Sequence, residues 1–337
     1  MPFRTIAGHT RVLSLLARAI ARDSMPPAVL MAGPAGVGKR LAAIAVAQTI
    51  NCLQPTSTAE LERDACGECA SCRRIARGVH PDVVVVEPGE TGAIKIEQLR
   101  AVIDQSQYRP FEGRRRVVVI DEADAAGADA QSALLKTLEE PPSASIFILV
   151  SSRPDALLPT VLSRCPRLRF GPLAPAEVAR VLLRDHGYAE ADARAAAADA
   201  DGSVGRALES QSEDLSEARE AAQRLLHETA RTSDPARRIG IARGLVEGRG
   251  TPAEERNRLA VRLRSLGSLL RDIGIIASRA DRTTLANADL EGQLEKLASS
   301  FDADRSLHAY AAVDQALAAL ERNASPKVVA DWLLLEL

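Results

Sequence analysis

Short apolar runs alternate with longer stretches of helical periodicity through the first half of the chain. Most of the runs are continuous, with no polar residue at every second position, which predicts strands covered on both faces, as in a parallel sheet. The runs occupy residues 29–32, 83–86, 117–120, 146–150 and 168–170. Helical stretches lie between them, at about residues 39–50, 96–108 and 130–138. This alternation predicts a doubly wound α/β domain over residues 1–171.

The second half of the chain has a different composition. From residue 172 onward the β-branched runs disappear, and alanine, leucine, arginine and glutamate dominate, which is typical of helices. The segment Asp201-Gly202-Ser203 supplies a helix stop and then an N-cap for a helix that begins near Val204. We expect a small helical lid at residues 172–209. We also expect an all-α domain at residues 210–337, whose leucine-rich helices pack in a bundle or against other subunits.

Composition and charge narrow the range of partners. The 337 residues carry a formal net charge of −2, so any contact with DNA or a membrane needs a local patch or a partner. Aromatic residues make up 3% of the chain, too few for a base-stacking platform. Arg114, Arg115 and Arg116 precede the third predicted strand, and we expect them to form a solvated turn, with a DNA contact as the alternative. No apolar run is long enough to span a bilayer and no secretory pattern opens the chain, so we expect a cytoplasmic location and no membrane partner.

A glycine-rich loop directly follows the first predicted strand. Its sequence, GPAGVGKR at residues 33–40, is typical of a loop whose backbone N–H groups wrap phosphates while a lysine reaches the outer ones. Arg40 replaces the hydroxyl residue that holds Mg²⁺ in such loops, and an arginine cannot ligate a cation. We therefore expect a site that can keep affinity for ATP or ADP, holds Mg²⁺ poorly, and hydrolyses nucleotide weakly or not at all.

Four of the five cysteines lie close together in the sequence. Three of them form two overlapping C-x2-C steps, and thirteen residues separate these from the fourth. In a cytoplasmic chain this spacing favours a closed structural zinc site over disulfides, with an iron–sulfur cluster as the alternative. The predicted ligands are Cys52, Cys66, Cys69 and Cys72.

Several further segments carry a family resemblance. They are Gly8-His9, HPDVVVVEP from His80, IKIEQLR from Ile94, ALLKTLEEPP from Ala133, LLPTVLSRC from Leu157 and GSVGRAL from Gly202. Together with the glycine-rich loop and the cysteines, these segments resemble the AAA+ clamp-loader family of bacterial DNA polymerase III. The resemblance is strong through about residue 210 and only compositional beyond it. It implies a P-loop AAA+ domain with a zinc module at residues 52–72, followed by the helical lid and an oligomerisation collar.

The resemblance also implies roles for individual residues around a nucleotide. The phosphate loop comprises Gly33, Pro34, Gly36, Gly38, Lys39 and Arg40. By the same resemblance, Asp121 is the metal-binding carboxylate and Glu122 the water-activating one. Ser152, or its neighbour Ser151, resembles the polar sensor after the fourth strand, and Arg206 resembles the lid sensor that reaches a γ-phosphate.

Arg164, in the segment Ser163-Arg164-Cys165, resembles an arginine finger that acts in trans. Such an arginine neutralises charge that develops on the transferred phosphoryl group of a nucleotide bound to a neighbouring subunit. An intact finger beside a phosphate loop that lacks its hydroxyl predicts a subunit that assists catalysis without hydrolysing ATP efficiently.

The resemblance therefore implies a non-motor or weakly active subunit of a five-subunit clamp loader. Its expected partners are the gamma/tau and delta subunits and, through the complex, the sliding clamp and primed DNA. Two other functions stay open on the sequence alone. One is an autonomous ATPase subunit of the gamma/tau type, and the other is a zinc-stabilised DNA-binding module with a vestigial nucleotide fold.

Overall fold

A computed structural model describes most of the chain as two compact units, residues 1–207 and 208–337. The described residues are 1–89, 91–209, 213–232, 234–246, 252–282, 285–287, 290–322 and 324–337. None of the helices in these ranges is both long and apolar enough to cross a membrane.

The first unit is built on a five-stranded parallel sheet. Its strands are β1 (Ala28–Ala32), β2 (Val83–Val86), β3 (Arg116–Ile120), β4 (Ser145–Ser151) and β5 (Arg167–Arg169). They are ordered β2-β3-β4-β1-β5, and every neighbouring pair is parallel. The register pairs Val86 with Ile120 across β2 and β3, so the residues that follow these two strands also lie side by side.

In the described residues up to 209, nine α-helices follow or flank these strands. They are α1 (Thr10–Ala21), α2 (Lys39–Asn51), α3 (Ala70–Ala76), α4 (Ile96–Ser106), α5 (Ala128–Glu139), α6 (Pro159–Leu162), α7 (Pro175–His186), α8 (Glu190–Asp199) and α9 (Val204–Glu209). The last of these begins at the predicted residue, because the Ser203 hydroxyl accepts the Arg206 N–H at 3.1 Å and so caps the helix.

Both faces of the sheet are buried, as the continuous apolar runs predict. Along β3, Val117 and Val119 belong to the core that contains α1 and α2, whereas Val118 and Ile120 belong to the core that contains α4 and α5. Successive side chains of a strand point to opposite faces, so a run of valines supplies both cores at once. The prediction of a parallel α/β sheet with helices on both sides is confirmed.

The last strand differs from its prediction. Residues 168–170 were expected to be covered on both faces, but β5 spans Arg167–Arg169, and its two arginines are exposed. The reason is its place in the sheet, because β5 pairs only with β1 and forms an edge.

The three consecutive arginines at residues 114–116 do not all lie in a solvated turn, which corrects the sequence prediction. Arg116 is the first residue of β3 and is buried, and its Nη2 atom donates to the Asp82 carboxylate at 3.1 Å. Asp82 is itself fully buried. A buried carboxylate is costly unless it is paired, so this arginine belongs to the fold and not to the solvent.

The second unit is helical. Its helices are α10 (Glu213–Ala230), α11 (Pro235–Val246), α12 (Pro252–Ala277), α13 (Glu291–Ala298), α14 (Ala303–Glu321) and α15 (Pro326–Glu336). Leucines of α12, among them Leu259, Leu263, Leu266 and Leu270, are fully buried in a core shared with α14 and α15. The bundle thus buries much of its own apolar surface. The division of the chain at residues 171 and 209 remains a prediction.

Candidate functional site

The predicted nucleotide-site residues meet at one edge of the sheet. Parallel strands end at the same edge, so the residues that follow β1, β2, β3 and β4 converge there. β1 is followed by the glycine-rich loop, β2 by Glu87, β3 by Asp121, and β4 ends on Ser151. This edge is the candidate site.

Two glycines allow the loop to pack closely against its surroundings. A Cβ atom added at Gly33 would lie 1.9 Å from the carbonyl oxygen of Phe170. Gly36 has a φ of +72°, and an added Cβ would lie 2.3 Å from the Ser203 hydroxyl. The N–H of Gly205 also donates to the Gly36 carbonyl at 3.1 Å, so helix α9 contacts the loop directly. Only glycine fits these positions.

The ammonium group of Lys39 is turned toward the loop itself. Its Nζ atom donates to the carbonyl oxygens of Gly33 at 2.7 Å and Pro34 at 2.6 Å. Burial lowers the pKa of Lys39, while the nearby Asp121 carboxylate opposes that shift. The lysine is thus held beside the loop by groups that any bound phosphate would have to replace.

Arg40 places a permanent cation beside the carboxylates that follow β2 and β3. Its guanidinium forms an ion pair with Asp121 at 3.2 Å and a second ion pair with Glu87. Burial raises the pKa of Asp121, and the charge of Arg40 acts in the opposite direction. A guanidinium offers only donors, so Arg40 supplies no ligand to a metal ion and competes with it for these carboxylate oxygens. The loop keeps the glycines of a phosphate loop, whereas a cation at Asp121 would have to displace the Arg40 guanidinium.

Sequence reasoning found Asp121 but missed Glu87. The signal was present, because Glu87 directly follows a predicted buried strand, as Asp121 does. What the sequence did not show was that β2 and β3 are neighbours, which brings the two carboxylates together around one guanidinium.

Asp124 is a second residue that sequence reasoning did not assign. Its carboxylate accepts the Ser151 hydroxyl at 2.7 Å, the Ser152 N–H at 3.2 Å and the Arg153 Nε–H at 3.1 Å. Ser151 is buried and Ser152 is exposed. Of the two serines considered for the sensor, the hydroxyl of Ser151 is therefore the one held next to the carboxylates after β3.

Two arginines predicted from the resemblance have partners outside the loop. Arg206 pairs with Asp201 at 3.1 Å, within the same helical region. Arg164 follows α6, donates to the Thr160 carbonyl at 2.8 Å, and pairs with Glu139 of α5. The Arg164 side chain keeps 32% of its surface exposed, so part of it is available to another molecule.

The four predicted cysteines come together after the end of α2. Their sulfur atoms all lie within 4.8 Å of one another, and those of Cys52 and Cys66 are 3.5 Å apart. Four sulfurs at about 2.3 Å from a tetrahedral Zn²⁺ would be about 3.8 Å apart. Backbone N–H groups also donate to the sulfurs, from Cys66 to Cys52, from Cys69 to Cys66, and from Cys72 to Cys69. The group fits a metal such as zinc.

The protonation of these thiols is consistent with a cation at their centre. Burial raises the pKa of Cys52 and of Cys72, so these two thiols need a nearby positive charge to ionise at neutral pH. Burial also opposes ionisation of Cys69, but the N–H of Cys72 and other donors outweigh it and lower the pKa of Cys69 to about 6. A bound metal ion would supply the missing charge.

The N-terminal segment braces this cysteine group. The buried Asp64 carboxylate accepts the N–H of Phe3 at 2.8 Å and pairs with the Arg4 guanidinium at 3.0 Å. Arg4 also donates to the carbonyl oxygens of Ala65 at 2.7 Å and Cys66 at 2.9 Å. Arg4 therefore fixes the backbone that presents one of the four sulfurs.

We expect Arg4→Ala to weaken metal retention. Outer contacts of a metal site are worth about 10- to 100-fold in affinity, so zinc should pass to a colorimetric chelator at least about tenfold faster than from the unaltered chain. Arg18→Ala is the matched control, because Arg18 pairs with the partly exposed Glu62 and not with a cysteine backbone in the described residues. If Arg4→Ala and Arg18→Ala release zinc at the same rate, Arg4 does not stabilise the cysteine site.

Comparison with known proteins shows what part of the first unit is similar to. The family model described as DNA polymerase III, delta subunit, matches residues 8–174. The tau/gamma subunit of DNA polymerase III from Haemophilus influenzae is 32% identical over 180 residues, which are 53% of this chain and 25% of that protein. The resemblance to the clamp-loader subunits of bacterial DNA polymerase III is confirmed over this part of the chain.

Within that class the similarity is to the delta-prime subunit. The Pseudomonas aeruginosa delta-prime subunit is 40% identical over 139 residues, 41% of each chain, and that of Bacillus subtilis is 35% identical over 165 residues, 49% of this chain and 48% of the relative. The matched region thus spans less than half of the length of these relatives. A solved gamma subunit-related protein from Thermotoga maritima aligns over 96% of this chain and 97% of its own, at 17% identity and a TM-score of 0.43.

Proposed function

We propose that this chain is a delta-prime-like subunit of a DNA polymerase III clamp loader, with weak or no ATP hydrolysis of its own. In this role it holds a neighbouring ATPase subunit and donates Arg164 to the nucleotide bound there. The assembly, with gamma/tau-type and delta-type subunits, loads a sliding clamp onto primed DNA. The helical second unit is the proposed oligomerisation collar.

The ion pairs of Arg40 with Asp121 and Glu87 carry this proposal. Hydrolysis of a nucleoside triphosphate relies on a divalent cation that neutralises the developing charge on the phosphates. Here the carboxylate expected to hold that cation is occupied by a guanidinium of the same chain. An arginine in this position favours a supporting subunit over an autonomous motor of the gamma/tau type.

The loop itself keeps features that suit phosphate. The glycines that permit its conformation are present, and the Lys39 ammonium lies beside them. Backbone N–H groups and one lysine can hold a nucleotide without a metal, so we propose binding of ATP or ADP with little dependence on Mg²⁺. The four cysteines hold a structural zinc in this proposal, since a site closed by four thiolates leaves no position for a catalytic water.

Substituting Arg40 tests the proposal directly. Arg40→Thr removes the guanidinium from Asp121 and supplies the missing hydroxyl, so the affinity for a fluorescent ATP analogue should become Mg²⁺-dependent and rise by about tenfold. The measurement is a titration of the purified chain with the analogue in Mg²⁺ and in chelator.

Arg40→Ala is the control, because it frees Asp121 without adding a hydroxyl. We expect it to show a smaller Mg²⁺ effect than Arg40→Thr. If the unaltered chain already binds the analogue in a strongly Mg²⁺-dependent way and turns over ATP rapidly alone, the proposed function is wrong and a motor subunit is the better description.

A further inference from the structure

A cavity opens to solvent beside the four cysteines. Its volume is about 640 Å³, which is within the range of small-molecule sites. Its walls come from the segment after Cys52 and from the segment that leads into α3, and they include Leu53, Glu68, Cys69 and Arg73. Of the four cysteines, which all lie in the described ranges, Cys69 alone lines this cavity. A closed structural metal site needs no such space.

The exposure of the cysteines also differs. Cys52 and Cys72 are buried, as is Cys165 outside the group, whereas Cys66 and Cys69 are partly exposed. A cysteine that binds zinc does so as a thiolate, and the thiolate is the form that attacks a disulfide. Access then decides which of several thiolates reacts. The cavity gives a small molecule that access at Cys69.

Two opposite charges lie beside Cys69 in the cavity wall. Arg73 and Glu68 are both exposed, and within the described ranges neither forms an ion pair, with the other or with a third residue. A guanidinium binds a carboxylate through paired hydrogen bonds, and a carboxylate binds an ammonium group. The wall therefore suits a molecule that carries both a carboxylate and an ammonium group, as amino acids and short peptides do.

Cys66 is placed to react with Cys69 in a second step. Its sulfur accepts the Cys69 N–H at 3.3 Å, and the sulfur atoms of the two residues lie within 4.8 Å of each other. Both residues are partly exposed, whereas the other two members of the group are buried. Cys66 and Cys69 are therefore the accessible pair that can form a disulfide within the group.

We propose that the cavity binds a low-molecular-weight disulfide of an amino acid or short peptide, and that this disulfide oxidises Cys69 and Cys66. The proposal rests on the structural zinc of the proposed function and adds a modification to that site. The Cys69 thiolate attacks one sulfur of the bound disulfide. An S–S bond to Cys69 forms, the external S–S bond breaks, and one half of the disulfide leaves as a thiolate.

The second step completes the exchange and removes the metal ligands. The Cys66 thiolate attacks the Cys69 sulfur and releases the other half of the external disulfide as a thiolate. The two protein thiolates lose two electrons, and the external disulfide gains them and leaves as two thiolates that take protons from water. Cys52 and Cys72 remain, and two thiolates cannot close a tetrahedral zinc site. Zinc therefore leaves, and an excess of thiol restores the site.

The test exposes the zinc-loaded full chain to glutathione disulfide in the absence of oxygen. A colorimetric chelator follows zinc release, and digestion with mass spectrometry identifies the bridged peptides. We expect zinc release, a transient mixed disulfide at Cys69, and a disulfide between Cys66 and Cys69 as the end product. Cys165→Ala should respond like the unaltered chain, because Cys165 lies outside the group.

One variant tests the charge in the cavity wall. Arg73→Ala removes the partner of the carboxylate, so glutathione disulfide should release zinc about threefold more slowly, the effect of one exposed charge pair. Release by the uncharged hydroxyethyl disulfide should not change. Arg77→Ala is the matched control, because Arg77 is exposed at the end of the same helix and lies outside the cavity wall. It should release zinc at the rate of the unaltered chain.

A second variant tests the cavity as the route to Cys69. Leu53 is 65% exposed, so Leu53→Trp should fold normally while it narrows the cavity. We expect zinc release by glutathione disulfide to slow by at least about threefold, because the rate of exchange depends on access to the attacked and attacking sulfurs. Release by hydrogen peroxide, which is small enough to pass the tryptophan, should stay the same.

Three results would overturn the proposal while the structural zinc site stands. The first is a zinc-loaded chain that keeps its metal and its mass in an excess of glutathione disulfide. The second is equal zinc release from Arg73→Ala, Leu53→Trp and Arg77→Ala, which would show that the cavity has no part in the reaction. The third is a bridge between Cys52 and Cys72. If the native chain contains no zinc, the zinc site itself is wrong, and this proposal is wrong with it.

Discussion

Replacing Arg164 with alanine is expected to slow ATP hydrolysis at the adjoining subunit of the reconstituted assembly by about 10³-fold, the lower end of what an arginine finger contributes in other systems. The physical reason is the loss of a positive charge next to the transferred phosphoryl group. The measurement is single-turnover hydrolysis in the presence of primed DNA. Gel filtration should show that the assembly still forms, because Arg164 is a partly exposed side chain.

The ion pair of Arg164 with Glu139 is compatible with this role. Both side chains are partly exposed, and such pairs contribute about 0–1 kcal/mol, so a phosphate could replace Glu139 at little cost. Glu139→Gln should therefore leave hydrolysis intact. Arg167→Ala, at an exposed arginine of β5, is the matched control. Unchanged hydrolysis in Arg164→Ala would exclude the finger while leaving the subunit assignment untouched.

Replacing Cys69 with serine should remove the metal and loosen the surrounding module. We expect about one zinc per chain in the native protein and almost none in the variant, measured by inductively coupled plasma mass spectrometry. Structural zinc sites contribute several kcal/mol to folding, so thermal unfolding of the first unit should occur at a clearly lower temperature. The cause is that three thiolates remain to bind zinc, and one N–H donor loses its sulfur acceptor.

Cys165→Ala distinguishes metal loss from general damage to the fold. Cys165 is buried in the core next to α5 and lies outside the group of four cysteines. We expect the alanine variant to keep its zinc even if its unfolding temperature falls slightly. A native protein that contains no zinc and unfolds at the temperature of Cys69→Ser would contradict the metal site.

The strands were predictable because their signal is local. A parallel sheet with both faces buried requires apolar residues at consecutive positions, and β2 and β3 carry runs of valine that meet this requirement without reference to the rest of the chain. Strand ends were less predictable. Arg116 was predicted to lie in a turn, because no neighbouring residue indicates that the buried Asp82 is its partner.

In the candidate nucleotide site, too, some features were predictable from local sequence and others depend on tertiary contacts. Glycine positions and the lysine of a phosphate loop are a contiguous pattern, since the backbone conformation they permit is local. The ion-pair partners of Arg40 could not be predicted in this way, because the order of the strands brings Glu87 and Asp121 to it. The sequence alone shows that Arg40 replaces a hydroxyl residue. The structure shows that its guanidinium pairs with Asp121 and Glu87.

The amino-acid pattern alone was sufficient for the class of fold, for the place of the glycine-rich loop after β1 and for the grouping of the four cysteines, because each depends on residues close together in the chain or on a fixed spacing. Three-dimensional packing was needed to learn which carboxylates surround Arg40 and which segment contacts the cysteine group. These features depend on contacts between residues that are distant in sequence, such as Arg40 and Asp121, whose residue numbers differ by 81. The order of the strands and the burial of side chains create those contacts, and neither can be predicted from a single segment of the chain.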